Sequence, residues 1–249
     1  MKRALATLLV VMLAAPARGD DLLAGLSEDF ISITSSFTGA DITLFGAIDA
    51  REPVAAERDI VVVLRGPDTG VTVRRKEPFA GIWLNSRSIE FLRLPSYYFV
   101  ATTRPLKDIA GSAVLSRYQI GLANLRFESP QGAAPALDPF RLAVIRANER
   151  ENLYREEIGA VGLVSGVLFQ VRIPMPAEVP TGNYRAEAYL FRDGNVISAY
   201  SAPLYIDKSG VERWLYDMAQ QLPWVYGLVA VLLSIVVGWV ASFIFRRSA

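Results

Sequence analysis

Four basic side chains flank the most turn-like stretch of the chain, the sequence Gly-Pro-Asp-Thr-Gly at residues 66–70. They are Arg65, Arg74, Arg75 and Lys76. Guanidinium groups bind sulfite, sulfonate and phosphate oxygens in pairs, and backbone N–H groups of a glycine-containing turn add further donors. If Arg65 and Arg74 converge at one end of a hairpin, the four residues form an anion-binding site. The alternative is a solvated strand end whose charges prevent pairing with other edges.

Carboxylates offer a second chemistry, because carboxylate pairs hydrolyse glycosides and also bind hard cations. Glu149, Glu151, Glu156 and Glu157 lie close together in the sequence. They alternate with arginines, which is typical of a salt-bridged, solvated surface. We therefore predict that this cluster is structural, and we assign no catalytic residues, no metal ligands and no cofactor.

Histidine and cysteine are both absent from the 249 residues. Their absence excludes Ser-His-Asp and Cys-His catalysis, imidazole metal ligands, iron–sulfur clusters and disulfides. Carboxylate-pair chemistry is not excluded by these absences. Taken together with the membrane topology described below, they lead us to interpret the chain as non-enzymatic.

The element that must position everything else is an apolar run near the C-terminus. Residues 225–245 contain no charge, and Arg246 and Arg247 follow directly. A helix of this length spans the hydrocarbon core of a bilayer, so we predict a transmembrane helix at 224–245. The positive-inside rule places the tail, 246–249, in the cytoplasm.

Small residues recur along this helix at roughly every fourth position. They are Gly227, Ala230, Ser234, Gly238 and Ser242. Such a stripe lets two membrane helices approach closely, and we predict a helix contact there. The alternative is that the stripe only reflects the frequency of small residues in membrane helices.

The N-terminus has the features of a secretory signal peptide. A basic start, an apolar run of 12 residues and small residues at a cleavage site predict a signal peptide at 1–19. Residues 20–207 then form a periplasmic domain, and 209–222 an amphipathic helix at the membrane surface. Without the five basic residues of the two ends, 21 bases face 25 acids, so no basic surplus for nucleic acid remains.

The periplasmic segment is predicted to be mainly β. Short apolar or alternating runs separated by turn residues occupy 30–103 and 167–207. Residues 60–64 form a continuous β-branched and apolar run, which indicates a strand covered on both faces. Asp193-Gly194 predicts a two-residue hairpin turn.

Helical spacing of apolar residues appears between these two β regions, and we predict an α-helical insert at about 105–158. Gly182-Asn183-Tyr184 resembles a tyrosine corner, so the favoured architecture is an immunoglobulin-like β-sandwich with the helical segment inserted. Two small domains in tandem are the alternative.

Several short stretches in order resemble the alphaproteobacterial putative transmembrane protein family along nearly the whole chain. They include residues 37–40, 44–47, 63–67, 73–76, 81–85, 95–98, 182–184, 224–227 and 238–239. The function of that family is unknown, so the resemblance implies a topology and no catalytic residues. Its members are often encoded beside a sulfite-exporter-type permease, which implies a membrane partner in sulfite or organosulfur export.

These observations lead to one preferred function and two others. We predict a membrane-anchored accessory protein that binds an inner-membrane transporter such as a permease. The first alternative is a periplasmic domain that binds or senses a small anion, and the second is a carboxylate-dependent hydrolase.

Overall fold

The computed structural model of the protein describes residues 21–34, 36–49, 58–79, 81–130, 137–208 and 218–246. The predicted signal peptide, most of the predicted amphipathic helix at 209–222 and the tail beyond 246 lie outside these residues. Within them the chain is mainly β, as predicted, with one long apolar helix near the C-terminus.

The strands, in chain order, are β1 (Asp21–Leu26), β2 (Phe30–Ile33), β3 (Gly39–Asp49), β4 (Asp59–Arg65), β5 (Asp68–Phe79), β6 (Ile82–Pro95), β7 (Tyr98–Thr102), β8 (Tyr154–Ile158), β9 (Gly162–Val164), β10 (Leu168–Pro176), β11 (Gly182–Arg192) and β12 (Asn195–Lys208). The helices within the described residues are α1 (Leu106–Ile109), α2 (Ser112–Tyr118), α3 (Asp138–Arg150) and α4 (Pro223–Arg246), with a 3₁₀ turn at Leu122–Asn124.

Three sheets organise these strands. A four-stranded sheet has the order β1-β3-β10-β9, and a six-stranded sheet has the order β2-β12-β11-β4-β7-β8. The third is a separate two-stranded hairpin made by β5 and β6. The chain divides into two compact units: residues up to Asp29 together with Thr38–Tyr205, and Phe30–Phe37 together with the chain from Ile206 onward.

Strand β4 forms the centre of the first unit, and its burial explains its composition. It pairs with β11 on one side and with β7 on the other. Residues 59–64 are all buried, which is why alternation is absent from this apolar run. Val61 and Val63 pack in one apolar cluster with Leu106 of α1 and Leu115 of α2, so the helical segment covers one face of the strand.

The helical prediction for 105–158 is wrong at its C-terminal end. Helix α3 ends at Arg150, and the positive φ of Asn152 turns the chain into strand β8. β8 pairs in parallel with β7, so Tyr154 is buried beside Tyr98. Arg155 contacts Glu157 at 2.9 Å within this strand.

The position of α3 is set by its apolar side chains. Asp138 is the first residue of the helix and Leu137 is the N-cap, with no side-chain capping hydrogen bond. Phe140 and Val144 face the core. They pack against Phe91 and Leu94, and they thereby fix α3 against the base of the β5–β6 hairpin.

Two local turn predictions are confirmed. Asp193 and Gly194 connect β11 to β12, and both have positive φ, the geometry of a type I′ turn. The Tyr184 hydroxyl donates a 2.5 Å hydrogen bond to the carbonyl of Pro180, which is the contact of a tyrosine corner.

Buried tyrosines make the fold sensitive to alkaline pH. Burial raises the pKa of Tyr97, Tyr98, Tyr154 and Tyr184, and raises that of Tyr189 to about 12. Because the folded pKa lies above the unfolded value of about 10, each neutral phenol stabilises the fold fully below pH ~10. This contribution is lost as pH rises toward the folded pKa.

We expect the free energy of unfolding to fall steeply above pH ~10, by up to about 1.4 kcal/mol per pH unit for each buried tyrosine. Urea unfolding of the full chain at a series of pH values measures this slope. From about pH 7 to 9 the tyrosines contribute no slope. If the tyrosinate absorbance that develops near pH ~10 in the folded protein instead accounted for all ten tyrosines, the buried phenols would not be shielded as the structure indicates.

Candidate functional site

A polar cleft of about 300 Å³ lies where four elements of the first unit meet, and we call it the arginine cleft. Four arginines and two carboxylates line it: Arg65, Arg93, Arg126, Arg185, Asp68 and Glu128. Gln119, Leu125 and Pro95 complete the wall. The site is therefore concave and rich in planar cationic donors, which suits recognition of an oxyanion.

The strand register brings two of these arginines side by side. Arg65 ends β4, and Arg185 lies directly opposite it on β11. Cross-strand neighbours of like charge destabilise a sheet unless something neutralises them. Glu187, two residues further along β11 and on the same face, provides that charge for Arg65.

Arg65 is held rigidly by an almost complete set of partners. Its guanidinium forms an ion pair with Glu187, and it donates to the carbonyls of Tyr118 at 2.7 Å and Gln119 at 3.1 Å. It also lies 5.9 Å from the centre of the Tyr98 ring. Burial alone would lower the pKa of Arg65, but Glu187 and neighbouring tyrosines more than offset it and raise the pKa. Arg65 thus lines the cleft as a permanently charged side chain, and Glu187 already balances its charge.

The loop that faces Arg65 is fixed by Tyr98. The Tyr98 hydroxyl donates to the carbonyl of Gln119 at 2.6 Å and accepts from the backbone N–H of Gly121 at 3.0 Å. Gln119 has a left-handed backbone with φ of 52°, which ends α2 and turns its carbonyl toward these donors. The wall formed by Tyr118 and Gln119 is therefore preorganised.

The other three arginines supply the available charge. Arg93, Arg126 and Arg185 are exposed. Within the described part of the chain, their guanidinium groups form no ion pair and no hydrogen bond. Asp68 and Glu128 offset two of these three positive charges. The lining therefore carries one positive charge in excess, because Arg65 is already neutralised by Glu187. That balance favours a singly charged anion over a multiply charged one.

The predicted anion-binding residues are not brought together. Arg65 lies in the cleft, but Arg74, Arg75 and Lys76 lie partway along the β5–β6 hairpin, where Arg74 pairs with Ser88. Six residues of strand separate Arg74 from Asp68 at the mouth of the cleft, roughly 20 Å at the usual strand rise. The expected convergence of Arg65 and Arg74 is therefore wrong, because β5 continues as a strand where a short turn-bounded segment was predicted.

A second feature is an open apolar face on the four-stranded sheet, which we call the apolar face. It is a groove of about 510 Å³ whose exposed apolar side chains are Leu23, Phe45, Val164 and Leu168. The register aligns three of them with Ala47 in one cross-strand row, because Leu23 and Leu168 pair with Ala47, and Val164 pairs with Leu168. A contiguous exposed patch of this kind is typical of an interaction surface.

The predicted membrane helix forms as α4, and Pro223–Ala241 is long and apolar enough to cross a bilayer. The stripe residues Gly227 and Gly238 have open space where a side chain would project. Ser234 donates a 2.8 Å hydrogen bond to the carbonyl of Ala230, so its hydroxyl is satisfied within the helix. The side chain of Ser242 lies outside the described residues.

Carboxylate clusters give no metal site in the described residues, where no group of three or more acidic side chains is arranged to hold an ion. Of the predicted cluster, Glu157 pairs with Arg155, and Glu156 accepts from the backbone N–H of Leu122 at 3.2 Å.

A family model described as "Putative transmembrane protein (Alph_Pro_TM)" matches residues 21–247. The chain belongs to this family. The match confirms the predicted family and its membrane character, and α4 is the candidate span that the described residues contain.

No curated protein matches the chain. Among solved structures, it is similar to BslA, a bacterial hydrophobin, at 12% identity and a TM-score of 0.23, over 78% of this chain and 100% of that one.

Sequence reasoning on this family member missed Arg93, Arg126 and Arg185. The three lie on β6, on the segment after the 3₁₀ turn and on β11, and no local motif connects them. The only sequence signal was weak: Arg185 occupies an exposed position in the alternating pattern of β11.

Proposed function

We propose that this protein is a membrane-anchored, non-enzymatic binding protein whose β domain captures a small oxyanion in the arginine cleft. The observation that carries the proposal is the meeting of Arg93, Arg126 and Arg185 at one cavity without side-chain partners among the described residues. Surface arginines that serve only solubility do not need to converge on a concave site. A cavity of about 300 Å³ holds a small molecule and excludes a macromolecule.

The charge balance points to a sulfonate-type monoanion. Three guanidinium groups match the three oxygens of a sulfonate or sulfite head, and each charge-assisted hydrogen bond contributes about 1.5–3 kcal/mol. Asp68 and Glu128 oppose a second negative charge on the ligand, which disfavours a phosphate dianion. Two or three such bonds correspond to dissociation constants on the order of millimolar to micromolar.

Binding predicts a thermal shift of the full chain in mild detergent. A ligand at about 100 times its dissociation constant stabilises the folded state by about 2.7 kcal/mol, roughly 5–10 °C for a domain of this size. We expect this shift with ethanesulfonate and smaller ones with sulfite and phosphate, both of which are partly doubly charged near neutral pH, at matched ionic strength. Equal shifts with chloride would reduce the effect to salt screening and would contradict the proposal.

A second function uses the apolar face, and it does not depend on the first. We propose that another membrane protein, a transporter of the ligand, docks on Leu23, Phe45, Val164 and Leu168. An apolar patch in cross-strand register gives a contiguous surface that a partner can cover. In this arrangement the β domain lies in the periplasm after signal-peptide cleavage, and α4 crosses the inner membrane.

Co-purification from native membranes tests both the partner and the placement. We expect the wild type to retain an inner-membrane transporter. The variant Phe45→Ser with Leu168→Ser is expected to retain at least tenfold less of that transporter. Substituting Arg172→Ser, an exposed residue of β10, gives the matched control. Retention of the same partner by the apolar-face variant contradicts the docking surface, and an outer-membrane or cytoplasmic partner contradicts the placement.

A further inference from the structure

The β5–β6 hairpin extends beyond the rest of its unit. Its base is fixed, because Phe91 and Leu94 pack against α3, and the N–H of Leu92 donates to the carbonyl of Glu128 at 2.9 Å. From the pair Val73–Ile89 outward, the strands continue for six more residues to the pair Phe79–Ile82. That is roughly 20 Å of ribbon at the usual strand rise.

The distal end of this ribbon is apolar and uncovered within the described residues. Ile82, Trp83 and Leu84 are consecutive and are 58%, 69% and 45% exposed. Three neighbouring large apolar side chains at a projecting end are costly in water. Trp83 is the most exposed of them, and tryptophan is the residue type enriched at membrane–water interfaces.

A basic band lies directly behind this tip. Arg74, Arg75 and Lys76 on β5 and Arg87 on β6 are all exposed. Arg75 lies opposite Arg87 in the register, a like-charge pair that is unfavourable in a bare hairpin. Glu77 contacts Arg75 at 3.3 Å, so the band keeps an excess of three positive charges.

The spacing of tip and band matches the layers of a lipid surface. Arg75 and Trp83 are separated by three residues of strand, because Trp83 pairs with Pro78, and this is roughly 10 Å. Amphipathic elements at a bilayer surface bury their apolar side about 5–10 Å deep and leave their basic residues among the phosphates. The geometry of the hairpin therefore fits both layers at once.

We propose that the β5–β6 hairpin inserts its tip, Ile82–Leu84, into the interface of an anionic lipid bilayer and holds lipid phosphates with Arg74, Arg75, Lys76 and Arg87. Lipid is favoured over a protein partner because the apolar tip is exposed and the charge of the basic band behind it is complementary to anionic headgroups. The chain also carries its own candidate span, so a bilayer is always nearby. Each basic residue near an anionic surface strengthens the association about fivefold.

A spin label on the tip measures this insertion directly. The sequence has no cysteine, so Ile82→Cys gives a single labelling site in the full chain. We expect the label, in nanodiscs with about one third anionic lipid, to be more accessible to lipid-soluble oxygen than to a water-soluble nickel chelate. The matched control is Lys107→Cys, on the exposed side of α1, which we expect to favour the nickel chelate.

Charge reversal tests the contribution of the basic band to insertion separately from that of the apolar tip. Arg74→Glu with Lys76→Glu, added to the Ile82→Cys variant, is expected to move the label toward water by at least tenfold in the accessibility ratio. The same shift in accessibility ratio is expected for the Ile82→Cys variant with its basic band unchanged, when the nanodiscs contain only neutral lipid. The proposal is overturned if the label at 82 behaves like the label at 107 in anionic nanodiscs. It is also overturned if neither charge reversal nor neutral lipid changes the accessibility.

Discussion

Substituting Glu187→Ala is expected to lower the free energy of unfolding by about 3 kcal/mol. Glu187 neutralises Arg65, and it also accepts a 3.0 Å hydrogen bond from the Tyr189 hydroxyl. Both side chains of the ion pair are largely buried, with exposures of 22% and 13%. Removing the carboxylate leaves a buried cation without its counter-charge, and the Arg65 Nε already lacks a partner among the described residues.

Thermal unfolding of the full chain in mild detergent, followed by circular dichroism, measures this loss as a drop of roughly 6–12 °C in the unfolding temperature. The matched control is Glu157→Ala, which removes the exposed pair with Arg155 and is expected to cost less than about 1 kcal/mol. A second variant, Arg65→Met with Glu187→Leu, is expected to recover much of the stability, because it removes the unpaired charge. Equal losses in Glu187→Ala and Glu157→Ala would show that the Arg65 network is not a buried ion pair.

Substituting Arg93→Gln together with Arg126→Gln is expected to weaken sulfonate binding by about 100-fold or more. Each removed guanidinium deletes charge-assisted hydrogen bonds of about 1.5–3 kcal/mol, and every 1.4 kcal/mol is tenfold in affinity. Both side chains are exposed and without partners in the described structure, so the fold does not depend on them.

Isothermal titration of the full chain with ethanesulfonate gives the affinities. The control is Arg74→Gln with Lys76→Gln, which removes two basic residues of the set predicted from the sequence alone. We expect that pair of substitutions to change the affinity by less than about threefold, since long-range charge is screened within about 10 Å. If the hairpin variant lost more affinity for ethanesulfonate than the cleft variant, the hairpin residues would form the anion site instead.

The sequence predicted those elements whose structure depends on residues that are close together in the chain. The buried run of β4, the Asp193-Gly194 turn and the tyrosine corner at Tyr184 depend on composition and short spacing, and each appears as expected. The apolar helix near the C-terminus belongs to the same class, because its length alone matches a bilayer.

Strand β8 shows why a local reading fails. Its sequence, Tyr-Arg-Glu-Glu-Ile, has a single fully buried position, and its charges resemble those of a solvated helix. What makes it a strand is its parallel pairing with β7, more than 50 residues earlier in the chain. A partner so distant leaves no periodicity in the segment itself.

The arginine cleft was hidden for the same reason. Arg65 was singled out because it precedes a turn, but its closest functional neighbour, Arg185, is placed opposite it only by the β4–β11 register. Arg93 enters the cleft from β6, on a hairpin whose length exceeded the short strands that were predicted. Convergence of this kind depends on topology, which single residues do not encode.

The most direct test of an oxyanion in the arginine cleft is two-dimensional NMR of the full chain labelled with ¹⁵N-arginine and titrated with ethanesulfonate at constant ionic strength. The Nε–Hε signals of Arg93, Arg126 and Arg185, assigned by single substitutions to Gln, are predicted to shift together along one saturable curve. The signals of Arg141 and Arg172 are predicted to stay in place. If no arginine side-chain signal shifts, or if all of them drift together without saturation, the cleft does not bind the anion.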